Sequence, residues 1–388
     1  MTTTPNLADR LRSVRKRRGM TQRELASAAG VSLSLVRKLE QGEREDTRME
    51  TLRKFAAALE VSTIELVVPP DAAADERPVD TWAPVREALL RRHAHPPELP
   101  TVEGVRDAVA AAEPLFTANR YSDLGTALPA LLRDGDALGA AGRQVRSRLL
   151  HLAGLLMVSA RQFDAAEIAL RRAADDATSR LEAVAVTNTV CWLRMRRGDL
   201  AGTLDLATQT ADDIEPRLSR ATPEELAAWG GMLLRVSTAA SRNNEPGAAS
   251  DALRLAHAAA VTISTEWAPP SDPLRSFGPI AVATRRIENH MVEDRPDRVL
   301  SLAARIPTTG FRAHASSRLR HRLDVAKANV QLKRYTDAFD VLSDVRAKSP
   351  EWIANQRMAR DVLGRIVAKR RTLTPEMRDM AAFVQLEY

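Results

Sequence analysis

Six times between residues 119 and 338 the sequence repeats one short pattern: two polar residues, then a bulky residue or proline, then a small or apolar residue three positions on. The polar pairs are Asn119-Arg120, Arg161-Gln162, Gly198-Asp199, Asn244-Glu245, Asp294-Arg295 and Lys333-Arg334. The residues that follow them are Tyr121/Leu124, Phe163/Ala166, Leu200/Thr203, Pro246/Ala249, Pro296/Val299 and Tyr335/Ala338. Segments rich in Ala, Leu and Arg with apolar residues at helical spacing lie ahead of the pattern, at 148–160, 181–196, 226–242 and 317–332 for example. The unit is therefore helix, tight turn, helix. It recurs at intervals of about 37 to 50 residues, and such a unit buries its apolar face only by stacking on its neighbours.

This array resembles a degenerate tetratricopeptide array. The units around Phe163 and Tyr335 fit that family best, whereas the others lack its Trp, Gly and terminal Pro. The resemblance implies an α-solenoid whose first helices line a concave surface suited to a peptide or protein. On those helices stand several asparagines, poor helix formers that carry both a donor and an acceptor. An inward row of them would clamp a peptide backbone. Asn289 and Asn329, near the same phase of their hairpins, are the leading candidates for effector contacts, with Asn243 and Arg285 beside them.

A different module precedes the array. In Thr21–Gln41 the residues Leu25, Ala26 and Ala29 form one short apolar face and Val36 and Leu39 another. The turn Ala29-Gly30-Val31 separates them. Thr21 with Glu24 has capping-box spacing, and Ser32 stands where the second helix starts. Two helices this short need flanking helices to complete a core. Leu7, Leu11 and Val14 mark one upstream. Leu52, Phe55, Ala56 and Leu59 mark another, capped by Thr47, and Val61, Ile64 and Leu66 a fifth.

The residues Thr21-Gln22-x-Glu24-Leu25-Ala26, Gly30-Val31-Ser32, Val36-x-x-Leu39-Glu40-x-Gly42 and Ala56-x-Ala58-Leu59 resemble the phage-repressor-like (Xre-type) helix-turn-helix family. The expected fold is thus all-α: a five-helix lambda-repressor-like DNA-binding domain followed by an α-solenoid. The domain boundaries are 1–68, a proline-bearing linker at 69–81, and 82–388 for sensing and dimerisation.

In that family the second helix of the pair enters the major groove by its N-terminal end. The resemblance therefore assigns base contacts to Ser32, Leu33 and Ser34, with Arg37 and Lys38 one turn on. Ser34 would meet a base edge, Leu33 a thymine methyl, and Lys38 guanine or a phosphate. Gln22 matches a phosphate-clamping position, and Arg44 and Arg48 are the cations of the following loop. Arg15 and Glu40 match a buried structural salt bridge. The loop also carries Glu43, Glu45 and Asp46, an acidic excess on a surface meant for phosphates.

The formal net charge of +7 suits an anionic partner, and residues 1–68 contribute about half of that excess. The single cysteine, Cys191, sits in an apolar run and reads as a buried thiol. No apolar run approaches the length of a membrane span and the N-terminus is polar, so a cytoplasmic location is expected. His93 and His95 have no further ligands close in sequence, and no nucleotide loop, nucleophile elbow or zinc-protease motif is found. Neither a cofactor nor an enzyme activity is expected.

The chain reads as a DNA-binding transcriptional regulator. It would bind double-stranded DNA at a palindromic operator as a homodimer, and its helical domain would take a signalling peptide or small-molecule effector. The alternative is a helical scaffold for a partner protein, with the DNA module only autoregulatory. The acidic loop favours that alternative.

Overall fold

The computed structural model describes residues 7–43, 49–59, 61, 66, 80–90, 99–307 and 315–387. The described residues are helical apart from turns, one 3₁₀ turn and a single isolated β-bridge. Two compact units form: residues 1–80 with 357–388, and residues 81–356. The final segment, expected to belong with the repeats, groups with the N-terminal unit. Among the described residues, no helix is long and apolar enough to cross a membrane.

The N-terminal unit opens with α1 (Leu7–Arg17), α2 (Gln22–Ala28), α3 (Leu33–Glu40) and α4 (Met49–Ala58). Local sequence fixes each start. The Thr21 hydroxyl accepts from the Glu24 N–H at 3.2 Å while the Glu24 carboxylate accepts from the Thr21 N–H at 2.6 Å, closing the capping box. Those bonds also pull the exposed Glu24 carboxyl below its ordinary range, the backbone bond first. Ser32 caps α3 by accepting from the Leu35 N–H. Between the helices Gly30 takes φ +62°, where a side chain is strained, and lets the Val31 N–H close on the Ala26 carbonyl at 3.0 Å.

The apolar faces then meet. Leu11, Val14, Leu25, Val36, Leu39, Phe55 and Leu59 form one buried core, which Leu66 joins. Thr47 and Ile64, expected to cap α4 and to build a fifth helix, lie outside the described residues.

The second unit begins with α5 (Ala83–Leu90) and continues as six helical hairpins. They are α6/α7 (Val102–Thr117, Tyr121–Ala137), α8/α9 (Arg143–Ser159, Phe163–Asp176), α10/α11 (Arg180–Arg197, Leu200–Asp213), α12/α13 (Pro223–Arg242, Pro246–Ile263), α14/α15 (Pro279–Val292, Pro296–Ala303) and α16/α17 (Ala315–Gln331, Tyr335–Lys348). A short α18 (Pro350–Ala354) closes the unit, and α19 (Arg357–Ala368) and α20 (Pro375–Phe383) follow it.

Every second helix starts at the residue that the repeated pattern marks. The reason is one shared corner. The first residue of each polar pair is left-handed, with φ of 58° at Asn119, 60° at Arg161, 91° at Gly198, 63° at Asn244, 59° at Asp294 and 61° at Lys333. The second residue returns its N–H to a carbonyl five positions back, as in Gln162 to Met157 at 2.8 Å and Arg334 to Asn329 at 2.8 Å. This is the Schellman closure of a helix end. The residue three positions into each second helix, from Leu124 to Ala338, is at most 3 % exposed. It is small or apolar because the paired helix lies against it.

From α6 onward, successive first helices pack side by side as far as α16. The widest break in spacing is the segment 264–278 between α13 and α14. Trp267 and Phe277 exchange backbone hydrogen bonds there at 3.0 and 2.9 Å, closing the segment into a loop. Glu266 Oε1 accepts from the Ile280 N–H at 2.6 Å and so caps α14.

Candidate nucleic-acid interface and a charged cavity

Ser32, Ser34, Arg37 and Lys38 all stand exposed along α3. Leu33 and Leu35 are half-buried and pack against the core, so Leu33, expected to meet a thymine methyl, spends part of its surface indoors. The period explains the division: Val36 and Leu39 are fully inside, and the leucines flank that stripe. Arg44 and Arg48, with the acidic Glu45 and Asp46, lie outside the described residues.

A buried ionic knot holds α3 in place. Arg15 Nε donates to Glu40 Oε1 at 2.5 Å and Arg15 Nη2 to Glu40 Oε2 at 2.8 Å, while Arg15 Nη1 donates to the Met20 carbonyl at 2.8 Å. Gln22 adds a further donor, its Nε2 lying 2.8 Å from Glu40 Oε2. The side chain expected to clamp a phosphate is thus anchored on the knot. The start of α2 still offers first-turn N–H groups to an anion. Beside the knot, burial lowers the pKa of Lys16, and Arg12 and Arg15 push the same way.

In the second unit the first helices enclose a cavity of about 420 Å³. Each contributes one stripe at helical spacing. Asn188, Trp192 and Arg196 come from α10, Gly231, Arg235 and Arg242 from α12, Arg285 and Glu288 from α14, and Arg320 and Asp324 from α16. The loop at 264–278 supplies Asp272, Leu274, Arg275 and Phe277. Six arginines therefore face three carboxylates.

The charges are unevenly matched. Glu288 takes three of the guanidiniums, pairing with Arg242 and Arg285 and lying 3.7 Å from Arg320. Burial works to raise the Glu288 carboxyl, but Arg285, Arg242 and Arg320 outweigh it and hold it well below the carboxylate range. Asp324, 3.8 Å from Arg320, goes the other way: burial pushes it up to about 6 against the pull of Arg320. Asp272, 3.3 Å from Arg275, is also raised by burial.

Arg235 and Arg196 find no such partner. Arg235 Nε donates to Asn188 Oδ1 at 2.7 Å, and Arg275 Nη1 donates to the same oxygen at 2.5 Å. Two cations thus converge on one neutral oxygen. Burial, then the neighbouring Arg275 and Arg285, hold Arg235 well below the usual arginine range. Arg196 is lowered to about 10 by burial and by Arg161 and Arg320, and its Nε and Nη2 have no hydrogen-bond partner.

Of the expected effector residues, Arg285 lines this cavity and the three asparagines do not. Asn289 is buried, its Nδ2 donating to Ser237 Oγ at 2.8 Å. It sits one residue past Glu288, a rotation of about 100° around the helix that turns it from the cavity into the helix–helix seam. Asn329 is likewise buried. Asn243 ends α12, its amide on Glu245 at 2.6 Å. The missed residues, Arg196, Arg235, Arg275 and Asp324, had a partial signal in the sequence. Asn188, Trp192 and Arg196 stand four apart and so share one face of α10, a stripe with a polar residue at either end. Arg275 sits in a loop with no such period.

Among the described residues, no group of three His, Cys, Asp or Glu side chains is placed to hold a metal ion.

Residues 11–66 match a family model described as helix-turn-helix. No curated protein matches the chain. Among solved structures, the chain is similar to the Bacillus thuringiensis PlcR in its crystal structure with the peptide PapR7 and DNA. The identity is 14 %, the match covers 77 % of this chain and 97 % of that one, and the TM-score is 0.35.

Proposed function

We propose that this helix-turn-helix DNA-binding regulator grips a palindromic operator as a homodimer, and that the hairpin cavity receives the effector that controls it. The observation that carries the DNA reading is the exposed row Ser32, Ser34, Arg37 and Lys38 on a helix pinned by the Arg15–Glu40 knot. A single recognition helix contacts few base pairs, so useful specificity needs two half-sites about one helical turn apart. Dimer contacts would come from the hairpin domain.

The cavity supports the effector half of the reading. Its volume falls within the range of small-molecule sites and would also admit a few residues of a peptide. An effector bound there shifts DNA binding only by its different affinity for the two states of the protein.

The test is selection of bound duplexes from a random pool with the full-length protein, followed by DNase I footprinting at fixed, near-physiological salt. The expected result is a protected two-half-site palindrome. Ser34→Ala and Lys38→Ala should each cost about 1–3 kcal/mol on that site. Gln22→Ala should weaken all duplexes alike, because its amide braces the start of α2, whose N–H groups face the phosphates, and touches no base edge. Recovery of no common sequence would overturn the reading.

A further inference from the structure

We infer that the hairpin cavity is selective for a ligand with an apolar body and an oxyanion, the oxyanion being received by Arg235 and Arg275 where they converge on Asn188. The inference rests on the reading of the cavity as an effector site and specifies its ligand class.

Three observations carry it. First, the two guanidiniums share Asn188 Oδ1 at 2.7 and 2.5 Å, so both forks already aim at one point occupied by a neutral oxygen. Like charges so close repel, and an anion placed between them relieves that repulsion while accepting the N–H groups still free in the two forks. Second, two of the cavity's three carboxylates are committed elsewhere. Glu288 serves Arg242, Arg285 and Arg320, and Asp324 lies beside Arg320, which leaves Asp272, 3.3 Å from Arg275, as the one carboxylate beside this pair of guanidiniums. The excess positive charge is therefore concentrated on Arg235 and, farther along α10, on Arg196 with its two unpartnered nitrogens. Third, part of the remaining wall is apolar. Val184, Leu234, Leu274 and Phe277, with the ring faces of Trp192 and Trp352, offer surface to an aromatic or aliphatic body, beside hydroxyls such as those of Ser159 and Thr238.

A carboxylate and a phosphate present the same chemistry to a guanidinium fork. The carboxyl terminus of a short apolar peptide, an apolar small-molecule acid and an apolar phosphate ester are therefore sources to be separated by experiment.

The probes are 8-anilinonaphthalene-1-sulfonate and its uncharged relative N-phenyl-1-naphthylamine, titrated by fluorescence into the full-length protein. The sulfonate should bind one saturable site at least about tenfold tighter than the neutral dye, the scale of a charge-assisted hydrogen bond. Arg235→Gln and Arg275→Gln should each remove most of that preference while leaving the neutral dye in place. Arg254→Gln, on the exposed face of α13, should change neither.

A competition on the unmodified protein guards against a variant that folds poorly. 1-Naphthoate and 1-naphthyl phosphate should displace the sulfonate where 1-naphthamide does not. An apolar tetrapeptide with a free rather than amidated carboxyl terminus tests the peptide source. Equal affinity for the two dyes in the unmodified protein, or a preference that survives both substitutions, would overturn the inference. The effector reading fails separately: if the best anion leaves operator affinity unchanged, the oxyanion site stands and its control of DNA binding does not.

Discussion

Glu40 holds Arg15 through both of its carboxylate oxygens, at 2.5 and 2.8 Å, across twenty-five positions of sequence. The contact ties the end of α3 to the end of α1, with the start of α2 caught between them through Gln22. A buried pair of this kind is costly to break and cheap to replace as a whole.

Glu40→Gln should therefore destabilise the N-terminal unit by about 3–5 kcal/mol, because Arg15 is left charged and unpaired indoors. Hydrogen exchange of α1–α3 in the full-length protein measures it. The double substitution Arg15→Met with Glu40→Leu should recover most of the loss. Equal protection in Glu40→Gln and the parent would refute the structural role.

Lys333 pays the left-handed strain that Gly198 avoids at the equivalent corner. Lys333→Gly should raise stability by up to about 1 kcal/mol, and Gly198→Ala should lower it by about 1–2 kcal/mol. Thermal melts of the two variants give opposite shifts if the corners are equivalent.

Asp324 sets a pH dependence. Its carboxyl is raised to about 6 when folded, chiefly by burial, so the folded protein holds that proton more tightly than the unfolded chain does. The group's favourable contribution is complete below the ordinary Asp range and is lost as pH rises through about 6. Asp324→Asn cannot lose a proton. Its melting temperature relative to the parent should therefore climb between pH 4 and pH 7, and a constant difference across that range would contradict the assignment.

Cys191 is fully buried, and burial raises its thiol above the ordinary range. Ellman's reagent at pH 8 should leave it unmodified in the native protein and titrate it fully in denaturant. The labelling rate then reports opening of the hairpin stack around α10.

The hairpins were legible in the sequence because a left-handed corner leaves a local trace. Asn, Gly and Asp tolerate it, and the small residue three positions on must fit under the partner helix. The DNA face was legible for a related reason, since Thr21, Gly30 and Ser32 are dictated by caps and a turn within a dozen residues. The cavity was not. Glu288 faces it and Asn289 does not, and one residue of helix phase separates them. That phase is set by how α12 and α16 flank α14, which no local pattern records. Arg275 reaches Asn188 only because the loop at 264–278 folds back on itself, and its Trp267–Phe277 closure has no sequence period to announce it.

The corners and the inner stripes draw on different residues, Tyr121 excepted, which starts a second helix and also lines the cavity. The αL closure at Arg161 or Lys333 involves backbone and one buried contact, and none of those groups touches the cavity. The stripe residues in turn do nothing for the corner. Inheritance can therefore act on the two separately: a change at 188, 235 or 275 alters the ligand's reception without touching the hinge points on which folding depends. A lineage of such chains would keep one architecture while its chemical vocabulary drifts, and kinship among them would be recorded at the corners long after it had been erased from the walls.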